Sequence, residues 1–123
     1  MSVPPPAAGD VRIFPGAADF RAWLEANHES TPHLWVGYYK KGVPKRSVSY
    51  PQSVEEALCF GWIDGITRRI DEEVYATRFT PRRKGSNWSA ANIAKVAELT
   101  AAGRMHAAGL RIFEERDRRR DAN

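Results

Sequence analysis

Two strand-like segments that stand only two residues apart place the firmest constraint on the fold. Residues 63–71 and 74–80 are rich in isoleucine, threonine, tyrosine and phenylalanine, and only Glu72 and Glu73 separate them. A tight turn of this kind joins antiparallel strands. If Glu72 and Glu73 centre the turn, the apolar pairs on one face are Ile66 with Phe79 and Ile70 with Tyr75. The sequence therefore predicts an antiparallel hairpin.

The segments before this hairpin predict one helix and two further strands. Residues 11–14 alternate weakly and stop at a Pro-Gly turn, as a short strand does. Apolar residues at spacings of three and four predict a helix over 17–28. In residues 33–41 both alternating sets of side chains are apolar, which is typical of a central strand.

A capping pattern marks the helix that leads into the hairpin. Ser49 and Gln52 have the spacing of a capping box, and Ser53 with Glu56 offers a competing start. Apolar residues then share one face up to Gly61, where we expect the helix to end.

Two more helices are predicted after the hairpin. Ser86 can cap a helix that reaches residue 102 and stops at Gly103, and a final helix covers 106–119. The total is about four strands and four helices without a regular βαβ order. We therefore predict an α+β fold in which one mostly antiparallel sheet packs with the helices.

Size and composition restrict the class of protein. The 123 residues suffice for one hydrophobic core, so we expect a single domain over 10–123 behind a disordered leader over 1–9. The leader does not read as a signal peptide, and no run approaches the ~20 apolar residues of a membrane span, so we expect a cytoplasmic protein. One cysteine and three scattered histidines give no disulfide and no metal spacing. We expect no metal and no cofactor, and the oligomeric state stays open.

The basic residues form two clusters, although the net charge is only +4. The first cluster is Lys40, Lys41, Lys45 and Arg46, and the second is Arg78, Arg82, Arg83 and Lys84. The helix start behind the second cluster presents free backbone N–H groups, which together with guanidinium groups favour a phosphate or carboxylate. The candidate partner is an anionic small molecule with a flat portion, such as a nucleotide. Nucleic acid is the other version, if residues 40–46 extend the same basic face.

The candidate ligand-binding site joins a carboxylate, three arginines, a ring and an amide: Asp64, Arg78, Arg82, Arg83, Trp88 and Asn92. Arg82 and Arg83 hold the charge, Trp88 stacks on the flat portion, and Asn92 reads a polar edge. The hairpin register places Asp64 near Pro81, so Asp64 either orients an arginine for the ligand or forms a structural ion pair with Arg82 or Arg83. The alternatives differ at Arg82. In the structural ion pair, which we call the structural lock, Arg82 is buried and paired. In a binding site, Arg82 is free to meet a ligand.

Two other classes of function stay open. A small enzyme would use Asp64 as a base or Cys59 as a nucleophile, but no cysteine-enzyme signature surrounds Cys59, so an enzyme is the less favoured class. A stress-related interaction protein would expose an apolar patch of Trp35, Tyr39 and Trp62.

Several of these stretches together resemble the YdeI/OmpD-associated family, also labelled bacteriocin-protection proteins. The matching stretches are residues 23–28, 34–41, 56–65, 79–83 and 88–92, and the most specific is Cys-Phe-Gly-Trp-Ile-Asp-Gly at 59–65. The resemblance covers roughly residues 11–114. It implies a small bacterial protein linked to stress or bacteriocin protection and brings no established reaction with it. Its signature includes five of the six site residues, all except Arg78.

Overall fold

The structure, a computed structural model, describes residues 6–117 and 119. Residues 1–5 of the predicted leader lie outside the described residues, and Ala8–Asp10 form a short 3-10 helix. The elements that follow are β1 (Val11–Arg12), α1 (Ala17–Asn27), β2 (Leu34–Tyr39), α2 (Tyr50–Cys59), β3 (Trp62–Arg69), β4 (Val74–Pro81), α3 (Ala90–Ala101) and α4 (Ala107–Glu114). Four strands and four α-helices in the described residues confirm the predicted α+β fold.

The four strands form one sheet in the order β1-β2-β4-β3. β1 pairs with β2 in parallel, whereas β4 pairs antiparallel with both β2 and β3. The sheet is therefore mostly antiparallel, as predicted. β2 lies inside the sheet, and every residue from Leu34 to Tyr38 is buried, which explains why both of its alternating side-chain sets are apolar.

The predicted hairpin register is wrong. Near the turn Thr67 lies opposite Thr77, one residue away from the expected pairing, and Asp64 lies opposite Phe79, two residues away from it. One cause is the turn, in which the Asp71 carboxylate accepts hydrogen bonds from the backbone N–H groups of the two residues that lead into β4. The other cause is a β-bulge between Asp64 and Thr67, which adds a residue to β3.

The helix boundaries follow the capping residues, with one correction. Ser49 forms the predicted capping box of α2, whose alternative start at Ser53 is instead buried inside the helix. The predicted cap at Ser86 is wrong, because the Ser89 hydroxyl accepts the Asn92 backbone N–H at 3.1 Å and α3 begins at Ala90. Gly103 ends that region with φ +71°, as expected, and α4 ends at Glu114, earlier than predicted.

The last helix packs tightly on the junction between α2 and β3, and this contact creates the surface on which the site lies. A methyl group added at Gly109 of α4 would lie 2.2 Å from the carbonyl oxygen of Cys59. Gly61 has φ +77°, and a methyl group added there would lie 2.4 Å from the side chain of Ile112 in α4. Only glycine fits either position.

No helix among residues 6–117 and 119 has the length and apolar character needed to cross a membrane.

Candidate functional site

Arg82 lies at the exit of β4, and the fold holds it against an aromatic ring. Its backbone N–H donates to the carbonyl oxygen of Gly61 at 2.9 Å, which ties the loop after β4 to the α2–β3 junction. The Arg82 guanidinium carbon lies 3.9 Å from the centroid of the Trp88 ring. Trp88 in turn packs edge-on against Phe113 of α4, with 5.1 Å between ring centroids. Arg82 and Trp88 therefore form a cation–π pair between the sheet and α4.

The guanidinium of Arg82 is buried without a counter-charge. Arg82 is 8% exposed, its Nε is buried without a hydrogen-bond partner, and no carboxylate of the described residues forms an ion pair with it. Burial lowers the pKa of Arg82 to about 10, although the negative charge of Asp64 acts to raise it. Arg82 is therefore buried, as the structural lock predicts, but its charge is unpaired among the described residues, as the binding site predicts.

The predicted ion pair between Asp64 and Arg82 or Arg83 does not form. The shifted register places Asp64 opposite Phe79, and its Oδ2 accepts a hydrogen bond from the Tyr50 hydroxyl at 2.5 Å. This hydrogen bond is the first cause of a Tyr50 pKa raised to about 12, with burial second. Asp64 is therefore committed to a residue at the start of α2.

A groove of about 210 Å³ opens beside Arg82, between the end of α1, the α2–β3 junction and α4. We call it the Arg82 groove. Its polar lining comes from five side chains, His28, Glu29, Arg82, Arg111 and Glu115. Phe60, Trp62 and Ile112 supply its apolar walls. This volume is below the roughly 300–1,000 Å³ of pockets that hold drug-sized ligands, so the groove suits a small molecule.

His28 contributes a second buried polar atom without a hydrogen bond to this groove. Its Nδ1 lies 2.7 Å from the carbonyl oxygen of Leu24, and since a carbonyl only accepts, Nδ1 carries the proton. The side chain is 10% exposed, and Nε2 is buried without a hydrogen-bond partner. The Glu29 carboxylate lies 3.7 Å from Nε2, which is beyond hydrogen-bond distance.

The structure brings together only two of the six predicted site residues. Arg78 lies opposite Trp35 in the pairing of β2 with β4 and is not among the residues that line the Arg82 groove. Arg83 is exposed. Asn92 is half-buried and lines a separate groove between α2 and α3.

Trp88 is also placed differently from the prediction. It is 1% exposed, and the Arg82 guanidinium covers a face of its ring. A ligand ring therefore cannot reach that face while Arg82 stacks there. In this structure Trp88 supports the arginine.

The first basic cluster lies at the other end of β4. It lines a groove of about 440 Å³, which we call the tyrosine groove. The groove is lined by four cations and four tyrosines, namely Lys40, Lys41, Lys45, Arg46, Tyr38, Tyr39, Tyr50 and Tyr75. Within it, the Lys45 ammonium pairs with Glu73 at 3.0 Å and lies 5.5 Å from the Tyr39 ring centroid. The eight residues of β4 put about 25 Å between this groove and Arg82. The two basic clusters therefore lie at separate ends of the sheet.

Cys59 lies in an environment that disfavours a nucleophile. It is fully buried, and burial raises the pKa of its thiol. Beside it, Glu56 is clamped by Arg21 at 3.1 Å and Arg104 at 2.7 Å, and Arg104 also pairs with Glu55. This network joins α1, α2 and the loop before α4, and its acids are saturated by structural partners.

The proposed interaction patch is not exposed. Trp35 and Trp62 are buried and Tyr39 is half-buried. No group of three or more metal-ligating side chains is found within the described part of the chain.

Four polar residues of the Arg82 groove lie far from Arg82 along the chain and are not among the predicted site residues, namely His28, Glu29, Arg111 and Glu115. His28 has one local signal, its position at the C-terminal end of α1. Arg111 lies in α4 among other charged residues, and no local sequence feature distinguishes it from them.

One family model, described as a domain of unknown function (DUF8412), matches residues 12–112. No curated protein and no solved structure matches the chain.

Proposed function

The chain belongs to the DUF8412 family, which carries no assigned activity, and from its geometry we propose that it binds a small anion in the Arg82 groove. The single observation that supports this most is the buried Arg82 guanidinium, which forms no ion pair with any carboxylate of the described residues. A buried, unpaired cation is unfavourable, and an anion that pairs with it offsets the lost hydration. The site would therefore gain more from an anion than an exposed arginine would.

The surroundings of Arg82 suit a carboxylate or phosphate group of limited size. Trp88 holds the guanidinium plane in a fixed orientation, so its outer N–H groups can present a planar fork to two oxygen atoms. Arg111 supplies a second, more mobile cation at the rim. Glu115, also in the lining, lies 3.9 Å from the Lys84 ammonium, which reduces its repulsion of an anion.

Isothermal titration calorimetry with acetate and with inorganic phosphate tests this proposal. We expect saturable binding that Arg82→Met weakens at least about tenfold, because a buried charge partner is lost. Arg69→Met, which removes an exposed arginine of β3, is the matched control and should stay within about twofold. Absence of saturable binding in the natural protein, or equal binding by the Arg82→Met variant, would refute the proposal.

A second candidate function is nucleotide or nucleic-acid binding at the tyrosine groove. The observation in its favour is that four cations share one groove with tyrosine rings, of which Tyr50 is 38% exposed. It ranks second because Glu73, in the nearby acidic turn of residues 71–73, pairs with Lys45 and lowers the local positive charge. Fluorescence anisotropy with a labelled single-stranded oligonucleotide tests it. Lys41→Ala with Arg46→Ala should weaken binding and reduce the salt slope by about 1.4, whereas an unchanged slope would contradict it.

The remaining interpretations stay predictions. The resemblance to YdeI/OmpD-associated proteins, with its link to stress and bacteriocin protection, adds no activity to the proposal. A cytoplasmic location is likewise an expectation from the sequence. An enzyme is the less favoured class because Cys59 is buried and Asp64 is engaged by Tyr50.

A further inference from the structure

The Arg82 groove contains buried groups of opposite hydrogen-bonding character. The Arg82 guanidinium can only donate hydrogen bonds, and its Nε has no partner. His28 Nε2, which also has no partner, carries a lone pair whenever the imidazole is neutral, because Nδ1 holds the proton for the carbonyl of Leu24. The same small groove therefore presents one unsatisfied donor group and one unsatisfied acceptor.

The carboxylates of the groove extend the acceptor side. Glu29 lies 3.7 Å from His28 Nε2, and its side chain is 83% exposed, so it can turn toward a ligand at the rim. Glu115 is the other acid in the lining. A simple anion would satisfy Arg82 and face the lone pair of His28 and the negative charge of Glu29. A molecule with a protonated amine would satisfy these groups as well.

We propose that the natural ligand is a small zwitterion of the amino-acid class, which carries a carboxylate and a protonated amine a few bonds apart. This inference rests on the proposed anion site. Its carboxylate pairs with Arg82 and, at the rim, with Arg111. Its ammonium group donates to His28 Nε2 and lies next to Glu29. The Arg82 guanidinium and His28 Nε2 then each gain a partner, and the charge of the ligand is opposite in sign to that of the lining at both ends.

A matched set of ligands separates this inference from the proposed function. Calorimetry compares alanine, propionate and ethylamine at pH 8, above the usual titration range of imidazole. Alanine should bind at least about tenfold more tightly than propionate, because only alanine supplies the donor. Equal affinity for alanine and propionate would overturn the inference and leave anion binding standing. No binding of alanine, propionate, acetate or phosphate would overturn both.

Two variants assign the preference to its residues. Glu29→Gln should narrow the alanine-to-propionate affinity ratio to about threefold or less, because alanine loses the attraction between its ammonium group and the Glu29 carboxylate. The control Glu98→Gln removes another exposed carboxylate, on α3, and should keep the full ratio. His28→Phe keeps a ring of similar shape, and circular dichroism verifies that it folds. Retention of the full ratio in both Glu29→Gln and folded His28→Phe would overturn the inference.

Discussion

Replacement of Arg82 by methionine should make the protein more stable, which is the opposite of what a structural arginine would show. The fall in the pKa of Arg82 to about 10 measures how strongly the folded state disfavours its charge. At 1.36 kcal/mol per unit, this fall corresponds to about 3 kcal/mol. Because the folded pKa lies below the unfolded one, the cost is fully present below about pH 10 and is lost as the pH rises toward the ordinary pKa of arginine.

Loss of the cation–π contact works against this gain. A desolvated contact of a guanidinium with a tryptophan ring contributes about 1–2 kcal/mol, and the 3.9 Å distance to Trp88 is favourable. Methionine retains the apolar stem and can place its sulfur near the same ring. The net expectation for Arg82→Met is a gain of about 1–2 kcal/mol in the free energy of unfolding at pH 7, in line with other replacements of buried charges by apolar residues.

Urea denaturation followed by circular dichroism measures this change directly. A gain of 1–2 kcal/mol would raise Tm by about 3–8 °C for a domain of this size. Arg69→Met, at an exposed position, should stay within about 0.5 kcal/mol of the natural protein. A loss of more than about 1 kcal/mol in Arg82→Met would refute the reasoning and identify Arg82 as a structural lock.

Three further predictions follow from buried contacts. Gly109→Ala should lower the free energy of unfolding by about 1–3 kcal/mol in urea denaturation, because the new methyl group meets the Cys59 carbonyl at 2.2 Å, whereas Gly9→Ala meets nothing within 4 Å and should be neutral. Ellman's reagent should label Cys59 only after unfolding, since the thiol is buried and burial raises its pKa; fast labelling of the native protein would contradict this. In an alkaline absorbance titration, Tyr50→Phe should remove a phenol that ionises near pH 12, and removal of a phenol that ionises near pH 10 would show that the hydrogen bond to Asp64 is not formed. Because the folded pKa of Tyr50 lies above the ordinary 10.0, this hydrogen bond stabilises the fold fully below about pH 10 and is lost as the pH rises toward 12.

The fold was predictable where the signal is local. The capping box at Ser49 and Gln52 fixes the start of α2, and the apolar character of both side-chain sets identifies β2 as an interior strand. The hairpin register was not predictable, because it depends on how Asp71 organises the turn and on where the bulge in β3 lies. Neither feature changes the composition of the strands, so periodicity carries no trace of it.

The site divides in the same way. Arg82 and Trp88 stand six residues apart, so their composition indicated a common site before any tertiary arrangement was known. His28 and Arg111 reach the groove only because α4 packs on the α2–β3 junction through Gly61 and Gly109. That packing depends on contacts between segments about fifty residues apart, which no local pattern encodes.

The state of Arg82 also explains why a structural lock and a binding site look alike in the sequence. Both require an arginine beside an aromatic residue and a carboxylate nearby, and the chain supplies all three. They differ in the geometry of the carboxylate, and here the bulge in β3 together with the Tyr50 hydroxyl directs Asp64 away from an ion pair. Arg82 keeps its position through Trp88, and its Nε stays without an acceptor from the described residues. A fold that stabilised itself alone would gain by closing this pair, so the open arrangement is what the proposed anion site predicts.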